Sequence, residues 1–366
     1  MKLMRPHRGP HATRTLLTMA TAVALVLSAC GGTSAPSPTP AATSTAGAAA
    51  TATPKPAPDK VTFLTDFLLW GWHSPYFSAK AEGFFTEQNL DVTITAGKGS
   101  VDTGTQLGAG TAQFGLIDIS TALLGISKGQ DLKLIGVHLQ SHPGGFLYIK
   151  ERNSIKTWKD IEGKKIGGAR GDAYLVALPG LMKANGSDPT KYTLVDIEAA
   201  ATTGALIAGQ VDAIPGSVMT APPRADAAKK EGLTLERFSF ADNGYKAVGF
   251  AIAANGKVIR DNPGLVQRFV NAWGKAMVWA LANPDKAVAN FLSANPEKNK
   301  DQETRSFNDS SSLIKGPASF FVFDPARVKV NVDFVNEQYQ AGVKVDDVYT
   351  NQFVEKLPAN YLQGKP

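Results

Sequence analysis

Cysteine occurs once in the 366 residues, at Cys30. One thiol excludes disulfides, Cys-x-x-Cys redox chemistry and thiolate zinc sites. Histidine is nearly as scarce, with two of the five within the first eleven positions. His138 and His142 form a His-x-x-x-His pair that would share one face of a strand. Pro143-Gly144 ends that strand and no third ligand clusters nearby, so no metal is expected. Ser312 to Lys315 spells Ser-x-x-Lys, but its Ser-Asp-Asn and Lys-Thr-Gly companions are absent. After residue 30 no apolar run reaches the length of a membrane-spanning helix. No basic cluster marks a nucleic-acid face either. Without the four cations of the leader, 34 basic residues stand against 32 acidic ones.

What is present begins with an address. Lys2, Arg5, Arg8 and Arg14 precede an apolar run from Leu16 to Leu27, which closes on "LSAC" at Leu27 to Cys30. A basic segment, a short greasy segment and small residues before a processing point read as a secretory signal over 1–30. The closing tetrapeptide resembles the bacterial lipobox, in which the cysteine receives lipid. Residues 31–59 are almost entirely Gly, Thr, Ser, Ala and Pro, too poor in apolar side chains to build a core. This segment reads as a tether, extending to roughly 90 Å at about 3.1 Å per residue. The expected location is the cell membrane, lipid-anchored through Cys30 and facing away from the cytoplasm.

From Val61 short apolar strands alternate with helical stretches. The pattern predicts strands over 61–67, 91–96, 112–118 and 132–139, with helices over 74–90, 100–110 and 119–129. Ser74, Ser100 and Asp172 are the expected N-caps. A second run predicts strands over 164–169, 192–198 and 211–216 around helices at 172–186 and 203–210. "LGAGTAQFGLID" and "LIAGQVDAIPGS" both end a helix on Ala-Gly and enter a strand at once, a weak internal repeat. A strand within 244–259 crosses back, helices follow at 262–283 and 284–294, and the tail from 320 is helical. Leu265, Phe269, Trp273, Met277 and Ala280 form a core stripe. The fold class is α/β, each lobe a βαβ-based, mostly parallel sheet with flanking helices.

Four stretches resemble, in order, the landmarks of the NMT1/THI5-like group of periplasmic solute-binding proteins. They are "HSPYFSAKAEGFFTEQNLDVTI", "GKGSVDTGTQLGAGTAQFGLIDIST", "TWKDIEGKKIGG" and "LIAGQVDAI", and the likeness covers about residues 60–295. The resemblance implies a two-lobed Venus-flytrap fold of type II, monomeric, with 60–145 and 246–366 as lobe 1 and 146–245 as lobe 2. It implies a small-molecule ligand handed to the permease and ATPase subunits of an ABC importer. The group also contains a hydroxymethylpyrimidine-making enzyme, which resembles a cysteine-rich iron site. No such cysteines remain here, so the chain is expected to be no enzyme and to need no cofactor.

Pyrimidine-precursor binders of the group tend to read Asp-Trp-x-x-Asn-x-x-His after the first strand. Here Asp66 and His73 match, while Phe67 and Trp70 replace the tryptophan and the asparagine. An extra indole face suits a broader flat ligand, and riboflavin is the leading expectation. A hydroxymethyl- or formylamino-pyrimidine, or a sulfonate or nitrate, are the alternatives. In an open α/β lobe ligands sit beyond the carboxyl ends of the strands. Four segments fall there: the aromatic loop "LWGWHSPYF" with Trp70, Trp72, His73 and Tyr76; "GKGSVD" with Gly99 and Ser100; "ARGDAY" with Asp172 and Tyr174; and the residues Asp118, Ser120, Glu198, Ser217, Asn243 and Tyr245. Both indoles are expected to open onto the gap between lobes, with packing between lobes as the competing reading. Closure would hinge at 142–150 and 240–248.

Overall fold

The computed structural model describes residues 56–315 and 319–366. The signal segment, the lipidation of Cys30 and the tether up to residue 55 lie outside the described residues.

Among the described residues ten strands form two five-stranded sheets. The first takes β1 (Asp59–Leu64), β2 (Leu90–Thr95), β3 (Phe114–Asp118), β4 (Leu132–Val137) and β10 (Phe250–Asn255), in the order β2-β1-β3-β10-β4. The second takes β5 (Gly144–Ile149), β6 (Lys165–Gly168), β7 (Thr193–Asp196), β8 (Ala213–Ser217) and β9 (Leu235–Ser239), in the order β7-β6-β8-β5-β9. β1 runs parallel to β2 and β3, and β6 runs parallel to β7 and β8. β10 and β5 are inserted antiparallel to both of their neighbours. Both sheets are therefore mixed. Each inserted strand follows a crossing between sheets, at 138–143 and 240–249, and arrives from the far side. Helices cover both faces of the inner strands, so β3, β5, β8 and β10 are buried along their whole length.

Several elements differ from the sequence pattern. The helix expected over 74–90 is two, Ser74–Ala81 and Phe84–Glu87, because Gly83 turns left-handed at φ 76° between them. Ser74 and Ser100 are first helical residues rather than caps: Ser74 Oγ donates to the Gly71 carbonyl, and Ser100 Oγ accepts from the Asp118 amide. Asp172 does cap its helix, accepting from the amides of Tyr174 and Leu175. β5, β9 and the helices Ala221–Lys230 and Lys300–Ile314 were not read from the pattern. "GGFLYI" lacks the period of a half-buried strand, being buried on both faces, and "APPRADAAKK" is too polar to announce itself.

The stripe on the helix Pro263–Ala282 is core as expected, and Phe269 stacks on Phe114 with centroids 4.0 Å apart. The tail contributes the helix Pro325–Tyr339, whose Asn331 donates to Ser120 Oγ in the first lobe. Its Tyr339 hydroxyl donates to the Val176 carbonyl in the second. Among the described residues no helix is long and apolar enough to cross a membrane.

Candidate functional site

A cleft lies between the carboxyl ends of the two sheets, a space of about 450 Å³ when the open solvent at its mouth is counted with it. From the first lobe come Asp66, Phe67, Trp70, Trp72, Gly99, Ser100 and Phe250. The second lobe supplies Asp172, Ala173, Tyr174, Pro215, Gly216, Ser217, Thr220 and Arg224.

The aromatic loop forms one wall. Strand β1 ends at Leu64, and the chain reaches a short 3-10 turn at Gly71–His73 that precedes Pro75. Trp70 is half-buried with its ring on the cleft. Trp72 departs from the expectation that both indoles face the gap: it is 2% exposed and packs on His73, His138 and Phe250, reaching only the cleft floor. Neither indole Nε1–H finds an acceptor among the described residues. Behind the loop, His73 Nδ1 accepts from the Trp70 amide at 3.1 Å, which leaves Nε2–H to donate to Asp66 Oδ1 at 2.9 Å. Deeper still, the Tyr76 hydroxyl meets His138 Nδ1 at 2.8 Å. Burial drives His138 down to about 3, so it is neutral, and it drives the Tyr76 phenol up.

The opposite wall is built on the helix Ala173–Ala184 and the helix Ala221–Lys230. Asp172 sits at the start of the first, its carboxyl pushed up to about 6 by burial despite two amide bonds. Arg224 lies in the first turn of the second helix, 6% exposed, and burial lowers its guanidinium to about 10. Its Nη1 donates to the Pro215 carbonyl at 2.6 Å, and its Nε has no partner among the described residues. The guanidinium stands 5.8 Å from the Trp70 ring centroid, across the cleft, while Lys298 Nζ lies 5.1 Å from the same ring.

At the far side of the cleft the loops "GKGS" and "ARGD" touch: a Cβ on Gly99 would stand 2.3 Å from the Gly171 carbonyl oxygen. Asp226 and Arg305 form an ion pair between the two lobes, joined by Gln302 Nε2 at 3.2 Å from Asp226.

Of the residues singled out from sequence, Asp66, Trp70, Trp72, Gly99, Ser100, Asp172, Tyr174 and Ser217 line this cleft. His73 and Tyr76 lie beneath its first wall. Asp118, Ser120 and Tyr245 form a separate buried group near the crossings. There Ser120 Oγ is 2.6 Å from the Tyr245 hydroxyl, and His142 Nε2 is 3.3 Å from Asp118 Oδ2. Asn243 accepts from Trp158 Nε1 through its carbonyl, and Glu198 is exposed at the end of edge strand β7. Arg224, Thr220, Pro215, Gly216 and Phe250 were missed. Arg224 carried one signal: a cation in the first helical turn opposes the helix dipole, so something else must hold it there. Among the described residues no cluster of His, Cys, Asp and Glu could hold a metal; His138 and His142 face different partners.

The chain is similar to a 4-amino-5-hydroxymethyl-2-methylpyrimidine phosphate synthase of Saccharomyces cerevisiae, 27% identical over 66% of this chain and 73% of that one. That name overturns the expectation that the chain is no enzyme, since relatives aligned over most of it are named as synthases. Among solved structures, the alkanesulfonate-binding protein SsuA from Xanthomonas axonopodis pv. citri bound to MOPS superposes with a TM-score of 0.63. It is 16% identical and covers 81% of this chain and 99% of that one. The zinc-bound ligand-binding component of an ABC-type import system from Staphylococcus aureus gives 0.61, at 12% identity over 82% and 99%. The fold is that of the periplasmic binding proteins. A family model described as NMT1/THI5 like matches residues 70–287, more than half of the chain, and the protein belongs to that family.

Proposed function

We propose that this protein captures a flat heteroaromatic nutrient between its lobes and passes it to the permease and ATPase subunits of an ABC importer. In this reading lipid on Cys30 holds it at the outer face of the membrane. Riboflavin is the first ligand and a thiamine-type pyrimidine precursor the second. The observation that carries the reading is the half-buried Trp70 ring on the cleft wall, opposite a polar wall from the other lobe. An indole face contributes about 1–3 kcal/mol when a planar ring stacks on it, whichever heterocycle is bound. A thermal-shift panel of vitamins, pyrimidines and sulfonates tests it. Ligand at a hundred times its Kd adds about 2.7 kcal/mol of stability, so riboflavin or the pyrimidine raises Tm. A response to taurine-like sulfonates alone refutes it.

The relatives' names favour a second reading, in which the same cleft carries out pyrimidine chemistry. It predicts that the purified chain forms a pyrimidine phosphate, detectable by mass spectrometry, where the carrier reading predicts only reversible binding.

A further inference from the structure

We infer that the ligand bridges Asp172 and Arg224 with a neutral donor–acceptor edge: a ring or amino N–H for the carboxylate beside a C=O or ring nitrogen for the guanidinium. The inference rests on the heterocycle reading above and specifies which side of the ring meets the second lobe.

Arg224 is buried and Asp172 half-buried, and the two are oppositely charged and on one cleft wall. Each feels the other's charge, yet they form no ion pair. Buried opposite charges normally pair, because an unpaired buried charge is costly. Here each is held by another partner. Asp172 Oδ1 is fixed by the Tyr174 and Leu175 amides at 2.8 and 3.4 Å, while Oδ2 takes no bond among the described residues. Arg224 is fixed by Nη1 on the Pro215 carbonyl, in a space that exists because position 216 is glycine: a Cβ there would stand 3.0 Å from Nη1. The buried Nε–H is left without an acceptor among the described residues. A held donor and a held acceptor share one gap, so what fits between them offers the converse pair.

Charge decides between a neutral edge and an oxyanion. The groups facing the gap are Asp66 and Asp172 on the acidic side and Arg224 on the basic side, with Lys298 behind Trp70. His73 answers Asp66 through Nε2–H. At pH 7 the second wall is close to neutral, Asp172 titrating near 6 and Arg224 remaining charged. A phosphate or sulfonate would add negative charge beside two carboxylates, whereas a lactam or aminopyrimidine edge adds none. An imide N–H flanked by carbonyls, as in an isoalloxazine, and a 4-amino group beside a ring nitrogen both qualify.

The test is calorimetric titration of the full chain with riboflavin, 3-methylriboflavin, 4-amino-5-hydroxymethyl-2-methylpyrimidine and taurine, on wild type, Asp172→Asn and Arg224→Met. Asparagine still caps the helix, so D172N folds, and circular dichroism checks R224M. The expected result is that riboflavin or the pyrimidine binds and that each substitution weakens it tenfold or more. Methylation at N3, which alters no residue, does the same to riboflavin. A heterocycle that binds wild type and both variants alike, or a 3-methyl analogue as tight as riboflavin, overturns this inference and leaves the proposed function standing. Failure of every heterocycle, with taurine bound through Arg224, overturns both.

Discussion

Gly99 offers a measurement of how the lobes meet. Its backbone sits at φ 119° and ψ 154°, a region nearly closed to other residues. A Cβ there would lie 2.3 Å from the Gly171 carbonyl oxygen and 2.7 Å from its carbon, both in the opposite lobe. Alanine therefore has two separable costs. The backbone conformation costs on the order of 1–3 kcal/mol wherever that loop shape persists. The clash exists only when the loops touch, and relieving it needs a separation of roughly 1 Å, which packed contacts do not absorb.

If that separation disfavours the shut form by about 1.4–2.8 kcal/mol, its population falls about 10–100-fold, and apparent affinity falls with it. Gly83 is the control: it is left-handed at φ 76° with nothing within 4 Å of its Cβ position. G83A and G99A should each lower Tm by a few degrees. Only G99A should weaken riboflavin binding about 10–100-fold by calorimetry, and enlarge the radius of gyration in X-ray scattering of the free protein. Equal Kd values for the two variants, with unchanged scattering, would refute the contact as a determinant of closure.

Trp70→Ala should reduce affinity for the heterocycle by about 1–3 kcal/mol with little change in Tm, since the ring is half-buried; less than a twofold change in Kd contradicts stacking. Asp226→Ala removes the mouth ion pair with Arg305, both groups being part-exposed, so it should weaken binding by no more than about fivefold at low salt. The effect should vanish in 1 M salt, where the Debye length is about 3 Å; an effect that persists there is not electrostatic. Asp172 titrates near 6 in the fold against about 3.9 unfolded, so the folded state binds more protons in between. Its contribution should make stability fall as pH rises from about 4 to about 6 and flatten above, by a total of about 2–3 kcal/mol. Urea unfolding of wild type against D172N across that range reads the difference, and a difference of opposite slope refutes the burial of Asp172.

What the sequence made legible was local. The strand and helix alternation of β1 to β4 follows from period and glycine stops, and Asp172 announced its cap by type and place. The core stripe of Pro263–Ala282 followed from helical spacing. What stayed hidden was set by neighbours far along the chain. "GGFLYI" is a strand because β8 and β9 flank it, and nothing in six buried residues says so. Trp72 and Trp70 are two residues apart in one loop, yet Phe250 and His138 cover the first and not the second. Arg224 looks like a solvated helix cation until Pro215 and Gly216 are brought under it.

The same distance argument explains why the Trp70 wall is rigid enough to recognise a plane. Its loop is tied from behind by residues more than two hundred positions away. Lys298 Nζ donates to the Leu69 carbonyl at 2.9 Å, Glu303 Oε2 accepts from the Gly71 amide at 2.5 Å, and Ser306 Oγ accepts from the Trp72 amide at 3.4 Å. Gly71 is obligatory there, since a Cβ would stand 2.0 Å from the Glu303 carbonyl oxygen. Burial raises the Glu303 carboxyl, while the Gly71 amide and Lys298 oppose that shift. Ordering a free tryptophan on binding costs about 0.5–1.5 kcal/mol, a sizeable part of what one stacked ring returns. Lys298 on one side of Trp70 and the helix Lys300–Ile314 on the other fix its backbone before any ligand arrives, so that only the indole's own rotamers remain to be ordered. An aromatic loop without this brace would offer the same face with much of its stacking energy already spent.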